Sequence, residues 1–317
     1  MKEKRKDIVA LFIAFIALSL VLLTIWNMVM GMRDKETYEG KGYGQSVLVN
    51  GTNMVYDVKG AENETTIILL PGYGSVSPVL EFKDLSTKLS DKYRVITVEP
   101  FGYGFSDETV SERTAIHIAS DIHVFASELG IDQYYVMGHS IAGVYSLVLA
   151  NRYPEEILGF IGIDPSVPKM EDVNPFPVSV VTINKAEVYL SKGIQFLGIT
   201  RAKNKISPLK DPIYTAEEIE YYTYLENERA GNKTVRDEIN CLDESLKYID
   251  KMKFPETVPV LNFVSSENAE SMDGWEQLHH DVIRETERSE VVTVQGGHFL
   301  HKDNPDVLVD KIKEWIG

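Results

Sequence analysis

Residues 134–143 read Tyr134-Tyr-Val-Met-Gly-His-Ser-Ile-Ala-Gly143. Four large side chains in a row, closed by a glycine, mark a short buried strand. Residues 144–150, all but one apolar or aromatic, then continue as a helix with almost no connection between the two. Such a turn is tight, and side chains at 138 and 142 would collide with neighbouring backbone, so small residues are required at both places. Gly138 and Ala142 meet that requirement, the second with a methyl group to spare. Ser140 then stands at the start of the helix, where the positive end of the dipole favours developing negative charge.

Outward from this turn the same alternation repeats. Residues 47–49 and 54–58 flank Asn50-Gly51-Thr52, a hairpin signal. Short apolar runs follow at 66–70, 94–98, 134–137 and 158–163, each closing in Gly or Pro or running into one. Between them, Ile118, Ile122, Phe125 and Leu129 share one side of a helix that ends at Gly130. After residue 257 the pattern resumes: a strand at 258–264, a helix at 275–284, a strand at 291–294 and a closing helix at 307–316. A hairpin followed by alternating buried strands and helices predicts an α/β fold with a mostly parallel sheet and helices on both faces. Residues 166–256 interrupt it with Pro168, Pro175, Pro177, Pro208 and Pro212, then helical stretches without strands. Thr215-Ala-Glu-Glu218 is a capping box opening a helix through 230, and another helix is expected from 234 to about 252. This segment reads as a helical cap over the strand ends.

Residues 8–32 carry no charge. As a helix they rise about 37 Å, enough to cross a hydrocarbon core of about 30 Å with some tilt. Lys2, Lys4, Arg5 and Lys6 precede them, while Arg33-Asp-Lys-Glu36 after them is balanced. The positive-inside rule then keeps a basic tail, 1–7, in the cytoplasm and exports the rest. A cleaved signal would have a shorter apolar stretch and small residues at its end, whereas Trp26, Asn27 and Met28 stand here. An uncleaved signal anchor at 8–32 is therefore expected, with a linker at 33–44 and one large domain over 45–317. This makes the protein a single-pass membrane protein with its main domain outside the cytoplasm.

The net charge of −16 repels nucleic acid, which is not expected as a partner. Cys241 is the single cysteine, so internal disulfides and Cys-based zinc or redox motifs are excluded. His279 and His280 are adjacent on a helix and diverge, and Gly102-Tyr-Gly104 lacks a third glycine, so neither a metal nor a nucleotide cofactor is expected.

The segment Gly138-His-Ser-Ile-Ala142, between strand and helix, resembles the nucleophile elbow of the α/β-hydrolase family. The resemblance covers residues 45–317, with the cap matching only in placement. It implies Ser140 as nucleophile. Leu69-Leu-Pro-Gly-Tyr-Gly74 stands where the family has its oxyanion turn, which implies the backbone N–H groups of Tyr73 and Ile141 as the oxyanion hole. Glu99-Pro-Phe-Gly-Tyr-Gly-Phe-Ser-Asp107 resembles the family's glycine loop after the next strand, with Glu99 where Asp is commoner. Val294-Gln-Gly-Gly-His298 follows the last strand, and His298 matches the family's general base, with His301 behind it as the alternative.

The acid stays open at this level. The family usually places it after the strand that follows the cap, where Asn268 occupies the expected position and Glu267, Glu270 and Asp273 lie nearby. Asp164, closing the strand at 158–163, is the other candidate, with turn capping before Pro165 as its competing role. The expected function is that of a serine hydrolase cleaving an ester, thioester, lactone or amide in a small acyl substrate, with Ser140, His298 and Asp164 or Glu267 as the catalytic residues. The alternatives are an acyltransferase on the same residues and a ligand-binding member of the fold without turnover. Serine at the elbow disfavours dehalogenase and epoxide-hydrolase chemistry, which use Asp there.

Overall fold

A computed structural model of the chain describes residues 2–175, 178–285 and 287–317; Pro177, counted above among the cap prolines, lies outside them. Eight strands form one sheet: β1 (Gln45–Val49), β2 (Thr52–Lys59), β3 (Thr66–Leu70), β4 (Arg94–Glu99), β5 (Tyr134–His139), β6 (Ile157–Ile163), β7 (Val260–Ser265) and β8 (Glu290–Val294). Their spatial order is β1-β2-β4-β3-β5-β6-β7-β8. β1, β2 and β4 pair antiparallel, and every pair from β4 to β8 is parallel. This is the α/β-hydrolase fold. Asn50 and Gly51 both have positive φ, 50° and 80°, the twist a two-residue hairpin needs.

The period of two in the central strands divides the core into two layers. Ile68, Leu70, Tyr134 and Val136 face one side, under the helices Ala115–Glu128 and Ala142–Arg152. Ile67, Leu69, Tyr135 and Met137 face the other, under Lys83–Leu89 and Pro305–Ile316. All eight side chains are buried, as parallel strands covered on both faces require.

Among the described residues between β6 and β7 are five α-helices, Val180–Phe196, Ile199–Ile206, Ala216–Glu228, Lys233–Asn240 and Leu242–Ile249. The capping box at Thr215 is present, each partner bonding the other's backbone. The single helix expected over 234–252 is in fact two: Cys241, with ψ near zero (−3°), ends one and begins the next. The break turns Leu242 and Ile249 into the core.

The N-terminal helix spans Lys2–Tyr38 and is long and apolar enough to cross a membrane. It does not stop at Met32, so 33–38 are helical where a linker was expected. The reason is tertiary. Asp34 bonds Arg201 of the cap at 2.5 Å, and the Tyr38 ring stacks on Tyr224 at 4.5 Å.

Candidate active site

The order in which strands are added reverses between the parallel neighbours β3 and β5, from which the sheet is wound outward to both sides, and ligands of open α/β sheets bind outside such a point. The turn after β3 carries Tyr73 and the turn after β5 carries Ser140. Ser140 has φ +53°, a left-handed conformation that a serine adopts only when its surroundings enforce it. The enforcement is visible in the backbone. Ser140 N–H donates to the Ile163 carbonyl at 3.2 Å, and its own carbonyl accepts from Gly143 and Ser166 at 2.9 and 2.8 Å. A Cβ added at Gly138 would meet the Ala142 methyl at 3.0 Å and Ser146 Oγ at 3.2 Å, which is why the flanking positions are small.

His298 comes from the glycine-rich turn after β8, and its Nε2 lies 2.9 Å from Ser140 Oγ. Its Nδ1 lies 2.6 Å from Oδ2 of Asp164, at the end of β6. Asp164 is fully buried and, like Ser140, has positive φ, +42°. Three further donors serve its carboxylate: Ser265 N–H at 2.9 Å, Asn268 Nδ2 at 2.5 Å and Trp275 Nε1 at 3.2 Å. Burial raises the Asp164 carboxyl, but the bonds from His298, Ser265 and Trp275 outweigh it and hold the group below the usual carboxylate range. The other acidic candidate, Glu267, sits beside Gly297, and both ring nitrogens of His298 are bonded to other residues, Asp164 and Ser140. Asn268, at the position where sequence comparison looks for the acid, instead donates to Asp164.

The N–H groups of Tyr73 and Ile141 carry no hydrogen bond among the described residues, and both belong to turns that border Ser140. The cap closes over this side. Tyr73 Oη donates to the Val235 carbonyl at 3.2 Å, and Tyr103 and Tyr145 donate to the buried Glu238 at 2.9 and 2.7 Å. Burial raises the Glu238 carboxyl, and these two phenols work against that rise.

The serine hydroxyl is bonded to His298, and His139 is bonded elsewhere. Its Nε2 donates to the His298 carbonyl at 3.0 Å, tying the histidine turn to the elbow. Burial drives its pKa down to about 3, so it stays neutral. His301, the alternative base, is buried and bonded to Glu81 at 3.1 Å. Among the described residues, Glu81, His139 and His301 form the one group with ligating atoms close enough for a metal, within 4.8 Å. Each histidine has its Nε2 on a partner already in place, while the Nδ1 of each is buried without a hydrogen-bond partner. Ser140, His298, Tyr73 and Ile141, named from sequence, lie together here, and Trp275, Asn268 and His139, to which sequence reading assigned no role, pack around them. His139 carried a signal in its adjacency to the serine and Asn268 in its place after β7, whereas Trp275 carried none.

Comparison with known proteins agrees with the fold. The profile of the alpha/beta hydrolase fold family matches residues 65–305. The uncharacterized protein YbdG of Bacillus subtilis is 23% identical over 289 residues, 89% of this chain and 88% of that protein. The soluble epoxide hydrolase of a Corynebacterium species is 24% identical, over 83% of this chain and 93% of its own length. Among solved structures, Cfl2 of Burkholderia cenocepacia superposes with a TM-score of 0.67 at 17% identity, covering 86% of this chain and 95% of that one. The profile spans the sheet from β3 to the start of the last helix, taking in the elbow, the cap and the histidine turn. The chain therefore belongs to the alpha/beta hydrolase fold family.

Proposed function

We propose that the protein is a membrane-held serine hydrolase that cleaves a carboxylic ester, thioester, lactone or amide through an acyl-enzyme on Ser140. The observation that carries this reading is the continuous run Ser140 Oγ, His298 Nε2, His298 Nδ1 and Asp164 Oδ2, with separations of 2.9 and 2.6 Å. In the proposed reaction Ser140 Oγ attacks the carbonyl carbon and His298 Nε2 takes its proton. The oxyanion then lies against the Tyr73 and Ile141 N–H groups. Collapse expels the alcohol, thiol or amine, which leaves with the proton from His298. Water repeats the sequence and releases the acid. Asp164, kept ionised by its donors, steadies the imidazolium.

A second reading is favoured by the likeness to a soluble epoxide hydrolase over most of both chains. Opening an epoxide with a serine hydroxyl would leave an alkyl ether, which water does not cleave, whereas an acyl ester on the same oxygen is hydrolysable. That difference supports the acyl reading.

The long apolar helix, 0% buried over its most apolar stretch, supports the anchor in this proposal. Lys6 and Arg5 at its start support an orientation with the N-terminus in the cytoplasm and the α/β domain outside. The test is labelling of the full chain in detergent with a fluorophosphonate. Wild type is expected to react and Ser140→Ala to be silent. A wild type that neither reacts nor hydrolyses short p-nitrophenyl esters, yet turns over styrene oxide, would replace the acyl reading with the epoxide one.

A further inference from the structure

We propose that the first two cap helices, Val180–Phe196 and Ile199–Ile206, rest on the outer leaflet, with their apolar side chains among the lipid tails and their lysines among anionic headgroups. This depends on the N-terminal helix being a membrane anchor.

The depth follows from length. Residues 8–19 are exposed on every side, but twelve residues rise only about 18 Å. A hydrocarbon core of about 30 Å needs roughly twenty, so a span that begins at Ile8 ends near Asn27. The cap grips the helix at that same level. Asn27 Nδ2 donates to the Gln195 carbonyl at 3.1 Å and to that of Phe196 at 3.3 Å. Its Oδ1 accepts from Arg201 Nε at 2.9 Å. Gly198 approaches so closely that an added Cβ would lie 2.7 Å from Asn27 Cβ and 3.0 Å from the Leu23 carbonyl. Trp26, a residue suited to the membrane–water boundary, has Lys205 Nζ 5.8 Å from its ring. Submerging enough of the helix therefore carries the turn between the two cap helices to the boundary as well.

The surface composition matches that position. Leu190, Phe196 and Ile206 are 67%, 62% and 85% exposed, and Ile199 is 39% exposed. Exposed apolar groups of this size on a water-facing helix signal an unfilled contact. Charge agrees. Residues 199–210 contain Arg201, Lys203, Lys205 and Lys210 and no acidic residue, in a chain of net charge −16. Arg201 is consumed inside and Lys203 pairs with Glu226 at 3.6 Å, but all three lysines are exposed, and Lys205 and Lys210 have no ion pair among the described residues. A basic, apolar patch on an acidic protein, fused to the end of a membrane span, is the composition of an interfacial helix on anionic lipid.

The test uses the full chain, with Cys241→Ser as background, reconstituted in phosphatidylcholine vesicles containing phosphatidylglycerol. Nitroxides are placed singly at Phe196→Cys and Ile206→Cys, with Phe12→Cys as the lipid reference and Val110→Cys as the water reference. Collision with a water-soluble nickel chelate is expected to fall at 196 and 206 by at least about threefold relative to 110, while collision with oxygen rises. Changing Lys203, Lys205 and Lys210 together to Glu is expected to return position 206 to the chelate. Values at 196 and 206 equal to those at 110, with 12 protected, would overturn the cap contact and leave the anchor standing. Exposure at 12 as well would overturn both. Melting temperatures within a few degrees of wild type identify the variants whose readings count.

Discussion

Ser140 and Asp164 share a backbone peculiarity, positive φ of 53° and 42° at side chains that gain nothing locally from it. Each such residue costs about 1–3 kcal/mol, so both ends of the Ser–His–Asp run are held by the fold rather than by preference. Asp164 receives donors from β7 and from the helices Ser266–Ser271 and Trp275–Asp281, besides His298. A carboxylate served this way keeps its charge with no help from solvent. If it fixes the imidazole, Asp164→Asn removes that charge and reverses the tautomer, lowering kcat on a p-nitrophenyl ester by about 10³–10⁴-fold. Glu267→Gln is expected to stay within about threefold of wild type, because both nitrogens of the imidazole are bonded to Asp164 and Ser140 instead. Equal losses in the two variants would return the acid to the turn after β7. Asp164 was legible in sequence only as an acid ending a strand. What singles it out is the convergence of residues 101–134 positions away, and no local pattern encodes that.

At the scale of the element, the turn after β4 shows how a buried charge is built into the frame. Glu99 is fully buried and accepts from Tyr43 Oη and Phe105 N–H, both at 2.7 Å. A Cβ built on Gly104, at φ +47°, would fall within the Glu99 carboxylate. Gly104→Ala therefore forces the carboxylate off its donors, at a cost of about 2–4 kcal/mol, read as a melting temperature lower by roughly 5–10 °C. Burial raises the Glu99 pKa to about 7, which gives a second expectation. From about pH 4.5, its unfolded value, up to about 7, the folded state holds the proton more tightly, so stability falls as pH rises. The decline attributable to Glu99 is about 3 kcal/mol across that window. Urea midpoints of Glu99→Gln are expected to lose that part of the slope, whatever the variant's absolute stability. An unchanged slope would show that Glu99 ionises at its ordinary value. The strands around this loop were readable because every one is a short apolar run ended by a residue that breaks it. The cap was not readable to the same degree. Residues 234–252 are amphipathic throughout, and only packing of Leu242 and Ile249 against the core breaks them at Cys241.

Across the whole molecule, the deciding contact joins segments that sequence reading kept apart. Arg33-Asp-Lys-Glu36 has the composition of a linker, yet it is helical because Asp34 finds Arg201. Arg201 is only 7% exposed and also binds Glu228, whose carboxyl burial raises, so one guanidinium separates two acids in a half-buried seam. Its fork reaches Asn27, Asp34 and Glu228 together, which the single ammonium of a lysine does not reproduce. Removing one partner of such a group costs about 3–5 kcal/mol, because the remaining charges stay buried unpaired. In Arg201→Ala the Asp34 and Glu228 carboxylates face each other, and repulsion drives the helix end from the cap. Nitroxides at Lys35 and Lys203, both on exposed positions, are expected to give a single narrow distance in wild type and a longer, broad distribution in the variant. Adding Asp34→Asn and Glu228→Gln to Arg201→Ala removes the repulsion and is expected to recover much of the narrow distance. A distribution unmoved by Arg201→Ala would mean that the Tyr38–Tyr224 stack and the Asn27 bonds hold the helix by themselves. The N-terminal helix would then be joined to the α/β domain by packing, with the buried charges as passengers.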